Sequence, residues 1–196
     1  MYDKSIVKGA APTSWGDFIE LAQGPARGKT SVLEDPWEVL SIALGSLGIN
    51  PNTVDPAQLE AGRAVLLDKL APTIRGYNSS ITTVVAGGGF TLLQAWNGDA
   101  RLALSNEKDP DRWGFVYPTP TANLWTDNFC IAAGTQHPAA AHAFINAMLD
   151  PEISYSEMDY IGYQTGVAGL GEKARAADVD YPDLLFPPDE VVARLV

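Results

Sequence analysis

Two periods of apolar spacing alternate along this chain. Thr30 to Leu33 is a short, partly β-branched apolar run after Gly28 and predicts a strand. Asp35-Pro36-Trp37-Glu38 then leads into Val39, Leu40, Ile42, Ala43, Leu44 and Leu47 at near-helical spacing, with Gly48 as a stop. Asp55-Pro56 opens a second helix through Leu59, Val65, Leu66 and Leu70, which Pro72 ends because it lacks an N–H and clashes with the preceding turn. Ile74 to Tyr77 predicts a strand, Ile81 to Ala86 a helical turn ended by Gly87-Gly88-Gly89, and Thr91 to Trp96 another strand. After Asn97-Gly98-Asp99 comes a helix carrying Leu102 and Leu104, then a short strand over Gly114 to Tyr117 stopped by Pro118 and Pro120. Asn123 to Ala132 has a strand-like pattern, with Cys130 as a small buried hydrophobe within it. Pro138 starts a helix with Ala141, Phe144, Ile145, Met148 and Leu149 on one side, and Asp150-Pro151 starts one more, ending near Gly162. Strands alternating with helices are the signature of an α/β fold.

This pattern divides the chain into a lead-in segment over residues 1 to 28, an α/β lobe over 29 to 180 and a truncated C-terminal segment over 181 to 196. A chain of 196 residues suits one domain or one lobe of something larger, able to bury roughly 70% of its unfolded surface. Hydrophobic residues at 46% and charged residues at 19% fit a globular protein rather than a disordered one. The net charge of −11 argues against nucleic acid as a partner, because that binding rests on Lys and Arg neutralising phosphates. It favours cationic or neutral partners. Cys130 is the only cysteine, so no intrachain disulfide can form. No apolar run reaches the length of about 18 residues that a membrane span needs, and Met1-Tyr2-Asp3-Lys4 does not begin a signal peptide.

Several residues could carry chemistry. If Asn123 to Ala132 is a strand, Trp125 and Asp127 share a face, and an indole beside a carboxylate is a receptor for an organic cation. The plainer alternative is a core ring and a capped turn. Asp35 and Glu38 form a capping-box pattern around Pro36, worth about 1 kcal/mol, in which both carboxylates bond to backbone N–H groups. Yet Asp35 directly follows a strand, and ligands of open α/β sheets gather beyond the carboxyl ends of strands. One oxygen can cap while the other faces a cleft. Trp96 ends an apolar strand in the same way, and Tyr163 lies in a Gly-flanked loop after a helix. The three glycines at 87 to 89 lack the Lys-Ser/Thr of a phosphate loop, and His137 and His142 have no zinc partner pattern. No nucleophile, metal or cofactor motif is present, so the sequence gives no cofactor and no support for an enzyme.

Taken in order over residues 13 to 186, these motifs resemble the C-terminal lobe of the spermidine/putrescine ABC transporter substrate-binding proteins. Thr13-Ser14-Trp15-Gly16-Asp17 is similar to the segment that enters that lobe. Glu34-Asp35-Pro36-Trp37-Glu38-Val39 resembles the family's Asp-x-x-Glu helix start, whose carboxylates hold ligand amines. Trp96-Asn97-Gly98 resembles its Trp-Asn-Gly, Leu124-Trp125-Thr126-Asp127 its Trp-x-Asp, and Ile161-Gly162-Tyr163 its Ile-Gly-Tyr. The resemblance implies a single lobe of a type II periplasmic-binding-protein-like fold, with a mixed central sheet flanked by helices. It implies ligand contacts from Asp35, Glu38, Trp96, Trp125, Asp127 and Tyr163. It also implies a missing N-terminal lobe, a partner ABC permease, and a periplasmic or extracellular, membrane-anchored location for a full-length parent. A Gln that the family carries near the end has no counterpart where Phe186-Pro187-Pro188 leads to Val196.

The reading that follows is a polyamine receptor. Its alternatives are the same fold with another cationic metabolite, a metal complex or an anion, and a hydrolase using Asp35, Glu38 or Asp127 as paired carboxylates. An anion would need basic side chains or bare helix N-termini, and the motifs here are acidic.

Overall fold

A strand buried on both faces needs a layer on each side, and β2 (Thr30–Val32) is such a strand, with Thr30, Ser31 and Val32 all buried. It lies inside a five-stranded sheet of order β3-β2-β4-β1-β5, with β1 Tyr2–Asp3, β3 Ile74–Tyr77, β4 Leu92–Leu93 and β5 Trp113–Gly114. β2 runs parallel to β3 and β4, while β1 is antiparallel to β4 and β5, so the sheet is mixed. The computed structural model describes Met1–Val196 and divides them into two compact units, Met1–Leu124 with Pro188–Val196, and Trp125–Pro187. The sheet belongs to the first unit.

Helices α1 (Trp15–Gln23) and α2 (Pro36–Ser46) pack on that sheet, and α3 (Pro56–Val65) packs on α2. α1 starts with a reciprocal capping box, Ser14 Oγ accepting from Asp17 N at 3.0 Å and Asp17 Oδ2 accepting from Ser14 N at 3.0 Å. Phe18, Ile19 and Ala22 on its inner face join Tyr2, Val32, Val39, Ile42, Leu70 and Leu92 in one core. The Asp-Pro starts form as expected: Asp35 caps α2 and Asp55 caps α3. α2 ends in a Schellman turn, with Gly48 at φ +71° donating to Gly45 O and Ile49 donating to Leu44 O. α3 continues as a π turn to Leu70 before Pro72, as the periodicity predicts. Helices α4 (Ile81–Gly87) and α5 (Asn97–Asn106) bury Ile81, Val84, Val85, Ala100, Ala103 and Leu104.

Residues 1 to 28 are more than a lead-in. Met1 and Tyr2 are buried, β1 sits between β4 and β5, and α1 supplies a core face. Pro188–Val196 likewise belongs to the first unit, where Leu195 bridges Ala122 and Val196 N donates to Ala122 O.

The second unit is helical: α6 (Pro138–Met148), α7 (Pro151–Ile161), α8 (Leu170–Ala176) and the short α9 (Pro182–Leu185). Its core gathers Met158, Leu170, Ala174 and Leu185. The apolar side expected on the first of these helices is present in sequence, but α6 buries no residue and Phe144 is 56% exposed.

The strand expected over Asn123 to Ala132 does not form. Past the bridge at Ala122 the segment runs without assigned strand structure, and Cys130 is exposed rather than buried. A strand exists only where a neighbour accepts its ladder, and the pairing with the C-terminal residues stops at Leu124, whose N–H donates to Val196 O. The expected strands at Thr91 to Trp96 and Gly114 to Tyr117 are observed as the shorter Leu92–Leu93 and Trp113–Gly114.

Candidate functional site

The carboxyl ends of the parallel strands β2 and β4 deliver Leu33-Glu34-Asp35 and Gln94-Ala95-Trp96 to one place, where α2 and α5 begin. Gln94 ties the two ends together. Its Oε1 accepts from Leu33 N at 3.2 Å and its Nε2 donates to Glu38 O at 2.8 Å. Glu34 N donates to Ser79 Oγ, and Asn78 Nδ2 to Ser31 Oγ, so the end of β3 closes the same edge.

Asp35 behaves as expected of a cap with a spare oxygen. Its Oδ1 accepts from Trp37 N at 2.9 Å and Glu38 N at 3.1 Å, while Oδ2 carries no hydrogen bond and the residue is half-buried. Glu38 departs from the capping-box expectation. It is buried, and its carboxylate reaches side chains instead: Oε1 accepts from Trp96 Nε1 at 3.2 Å and Oε2 from Asn123 Nδ2 at 2.9 Å. Asn123 Nδ2 also donates to Ser41 Oγ at 3.2 Å. The half-buried Trp96 is the N-cap residue of α5, and its indole is held by a carboxylate from α2.

Asp35, Glu38 and Trp96 are therefore brought together. Trp125, Asp127 and Tyr163 belong to the second unit, the first two exposed on the extended segment and Tyr163 half-buried after α7. α7 ends at Gly162, at φ +83°, which turns the chain into the loop that carries Tyr163. Asn123 and Gln94 went unremarked in the sequence pattern. The available signal for Gln94 was a polar residue breaking an apolar strand; Asn123 had none, because its partners are 85 and 82 residues away.

A separate groove of ≈ 510 Å³ lies against α2 and α3, lined by Leu40, Leu59, Arg63 and Leu66 among others, and contains none of these residues. No group of three or more His, Cys, Asp or Glu side chains is placed to hold a metal ion, and no helix is long and apolar enough to cross a membrane. The site as built offers one uncommitted carboxylate oxygen and a fixed indole. That combination suits a ligand bearing an amine and an aliphatic chain.

The chain is similar to known proteins in sequence and in fold. Residues 1–181 match the family model for bacterial extracellular solute-binding proteins. The spermidine/putrescine-binding periplasmic protein 1 of Haemophilus influenzae is 31% identical over 192 residues, covering 97% of this chain and 51% of that protein. Among solved structures, the spermidine/putrescine ABC transporter substrate-binding protein PotD of Streptococcus pneumoniae superimposes with a TM-score of 0.78 at 27% identity, covering 99% of this chain and 58% of the other. A putative spermidine/putrescine ABC transporter protein of Listeria monocytogenes, at 24% identity and a TM-score of 0.82 over 100% of this chain and 58% of that one, supports the fold alone. The chain spans about half the length of the curated relatives it matches. It belongs to the bacterial extracellular solute-binding protein family.

Proposed function

We propose that this chain is the ligand-binding C-terminal portion of an ABC-transporter receptor for a polyamine such as putrescine or spermidine. The observation that carries this reading is the cluster of Asp35, Glu38 and Trp96 at the carboxyl ends of β2 and β4. The relatives are named as binding proteins for spermidine and putrescine, which supports binding and release rather than turnover.

Asp35 of the first unit supplies the carboxylate for one ammonium group, with Glu38 beside it and Trp96 as the wall for methylenes. Asp127 of the second unit supplies the same chemistry for another ammonium, with Trp125 and Tyr163 as aromatic contacts. A charge pair at 4 Å is worth about 4 kcal/mol at an effective dielectric of 20, before desolvation reduces it. An indole face adds about 0.5–2 kcal/mol and each buried methylene about 0.8 kcal/mol. Carboxylates thus select amines, and rings select an aliphatic chain. An N-terminal lobe completes the receptor, a permease is its partner, and a lipid anchor holds it outside the cytoplasmic membrane.

Calorimetric titration of a protein joining this chain to an N-terminal lobe tests the reading. Putrescine or spermidine binds and neutral sugars do not, and Asp127→Asn weakens amine binding by about tenfold or more. Tight sugar binding with no amine response overturns it.

A further inference from the structure

The loop that carries Tyr163 is tied to the helix before it by a pair of hydroxyls. α7 stops at Gly162, whose N–H donates to Met158 O at 3.0 Å. The chain then runs back along the helix it has just left, because Thr165 Oγ1 lies 2.6 Å from Ser154 Oγ. Ser154 sits about two turns before Gly162, or about 12 Å along the axis. The step from Gly162 to Thr165 covers about 10–11 Å only when it is close to fully extended. Exposure alternates as such a run requires: Tyr163 and Thr165 are half-buried, and Gln164 between them is exposed.

Both ends of the short run are fixed. Ser154 is 1% exposed, so its hydroxyl has no bulk water to turn to if Thr165 moves away. Thr165 Oγ1 also accepts from Val167 N at 3.3 Å, and Val167 packs on the core of Met158, Leu170, Ala174 and Leu185. Tyr163 is strung between the end of α7 and this anchored threonine. Two neutral hydroxyls hold the loop without adding a charge for a cationic ligand to meet.

We propose that Ser154 and Thr165 are positioning residues, which hold Tyr163 to Thr165 extended along α7 and so set the direction of the Tyr163 ring. The contact of that ring with a ligand rests on the polyamine reading above; the anchoring stands without it. Residues 154 to 167 all lie in the second unit.

The test has two arms. In the first, the ring resonances of Tyr163, assigned with Tyr163→Phe, are followed by nuclear magnetic resonance in Ser154→Ala and Thr165→Val without any ligand. They move in both variants, amide exchange at residues 164 and 165 quickens by about fivefold or more, and the ring resonances of Tyr77 in the first unit stay. Thr165→Ser, which keeps the hydroxyl, restores the original positions. Circular dichroism confirms that each variant is folded, and Ser154→Gly serves if alanine is not tolerated. Unmoved Tyr163 resonances in folded variants overturn the positioning role.

In the second arm, putrescine is titrated into the protein that carries an N-terminal lobe. Thr165→Val lowers affinity by about three- to tenfold, and adds less than about twofold once Tyr163→Ala is in place. An equal loss in both backgrounds, or none in either, overturns the link from anchor to ring. If the unsubstituted protein binds no putrescine, the polyamine reading fails; if it binds and Tyr163→Ala changes nothing, Tyr163 is no ligand contact. In both of those cases the first arm alone decides the role of Ser154 and Thr165.

Discussion

The two units bury their apolar residues to very different degrees. In the first, Leu33, Ile42, Leu70, Ile81, Leu92 and Leu93 are fully buried around a sheet. In the second, the buried set shrinks to a few side chains around Met158 and Leu185, while Phe129, Phe144 and Leu149 stay exposed. Sequence composition does not cause this contrast, since α6 has as apolar a face as α2. The difference is a sheet: helices of the first unit have a surface to cover, whereas α6 has none within its own unit.

The largest expected effect sharpens this contrast. Ile42→Ala removes a fully buried side chain from the main core and should cost about 2–5 kcal/mol in denaturant unfolding. The matching change in the second unit, Phe144→Ala, should cost about 1 kcal/mol or less, because that ring is more than half exposed and loses chiefly its edge-to-face contact with Phe129. Equal costs would break the comparison.

Asp3 comes next. Its Oδ2 accepts from Arg112 Nε at 2.7 Å and its Oδ1 from Ser5 N at 2.8 Å. Burial pushes its carboxyl up, but the hydrogen bonds from Ser5 and Arg112 and the Arg112 charge outweigh that and leave it lowered. A lowered carboxyl stabilises the fold at pH values above its unfolded pKa of about 3.9, and this contribution is lost as pH falls from there through the folded value. Asp3→Asn should therefore cost about 1–3 kcal/mol at neutral pH, with the deficit shrinking in acid. A deficit independent of pH would contradict the assignment. The smaller step is Asp150→Ala, which removes the cap made to Glu152 N and Ile153 N on α7 and should cost about 1 kcal/mol, in the second unit only.

What the sequence shows follows from range. Asp35-Pro36, Asp55-Pro56 and Asp150-Pro151 are read correctly because a cap bonds within its own first turn. Gly48 is read correctly as a stop for the same reason. β1 is missed because a two-residue strand has no alternation to detect; its place depends on β4 and β5, far along the chain. Asn123 to Ala132 errs in the opposite direction, since its apolar residues suit a strand but past Leu124 no neighbouring strand pairs with it. In the site, Asp35 and Trp96 are visible as strand-end residues. The role of Glu38 is not, because its partners Trp96 and Asn123 lie 58 and 85 residues away.

The central claim is that the strand ends near Asp35 and Trp96 receive an amine. The most direct measurement is the set of backbone amide shifts on adding putrescine to isotopically labelled protein that carries an N-terminal lobe. Within the first unit, the account predicts that changes concentrate at residues 34–38 and 95–98. Changes centred instead on Leu59, Arg63 and Leu66 in the groove of α2 and α3, or no change in the first unit at saturating putrescine, would contradict it.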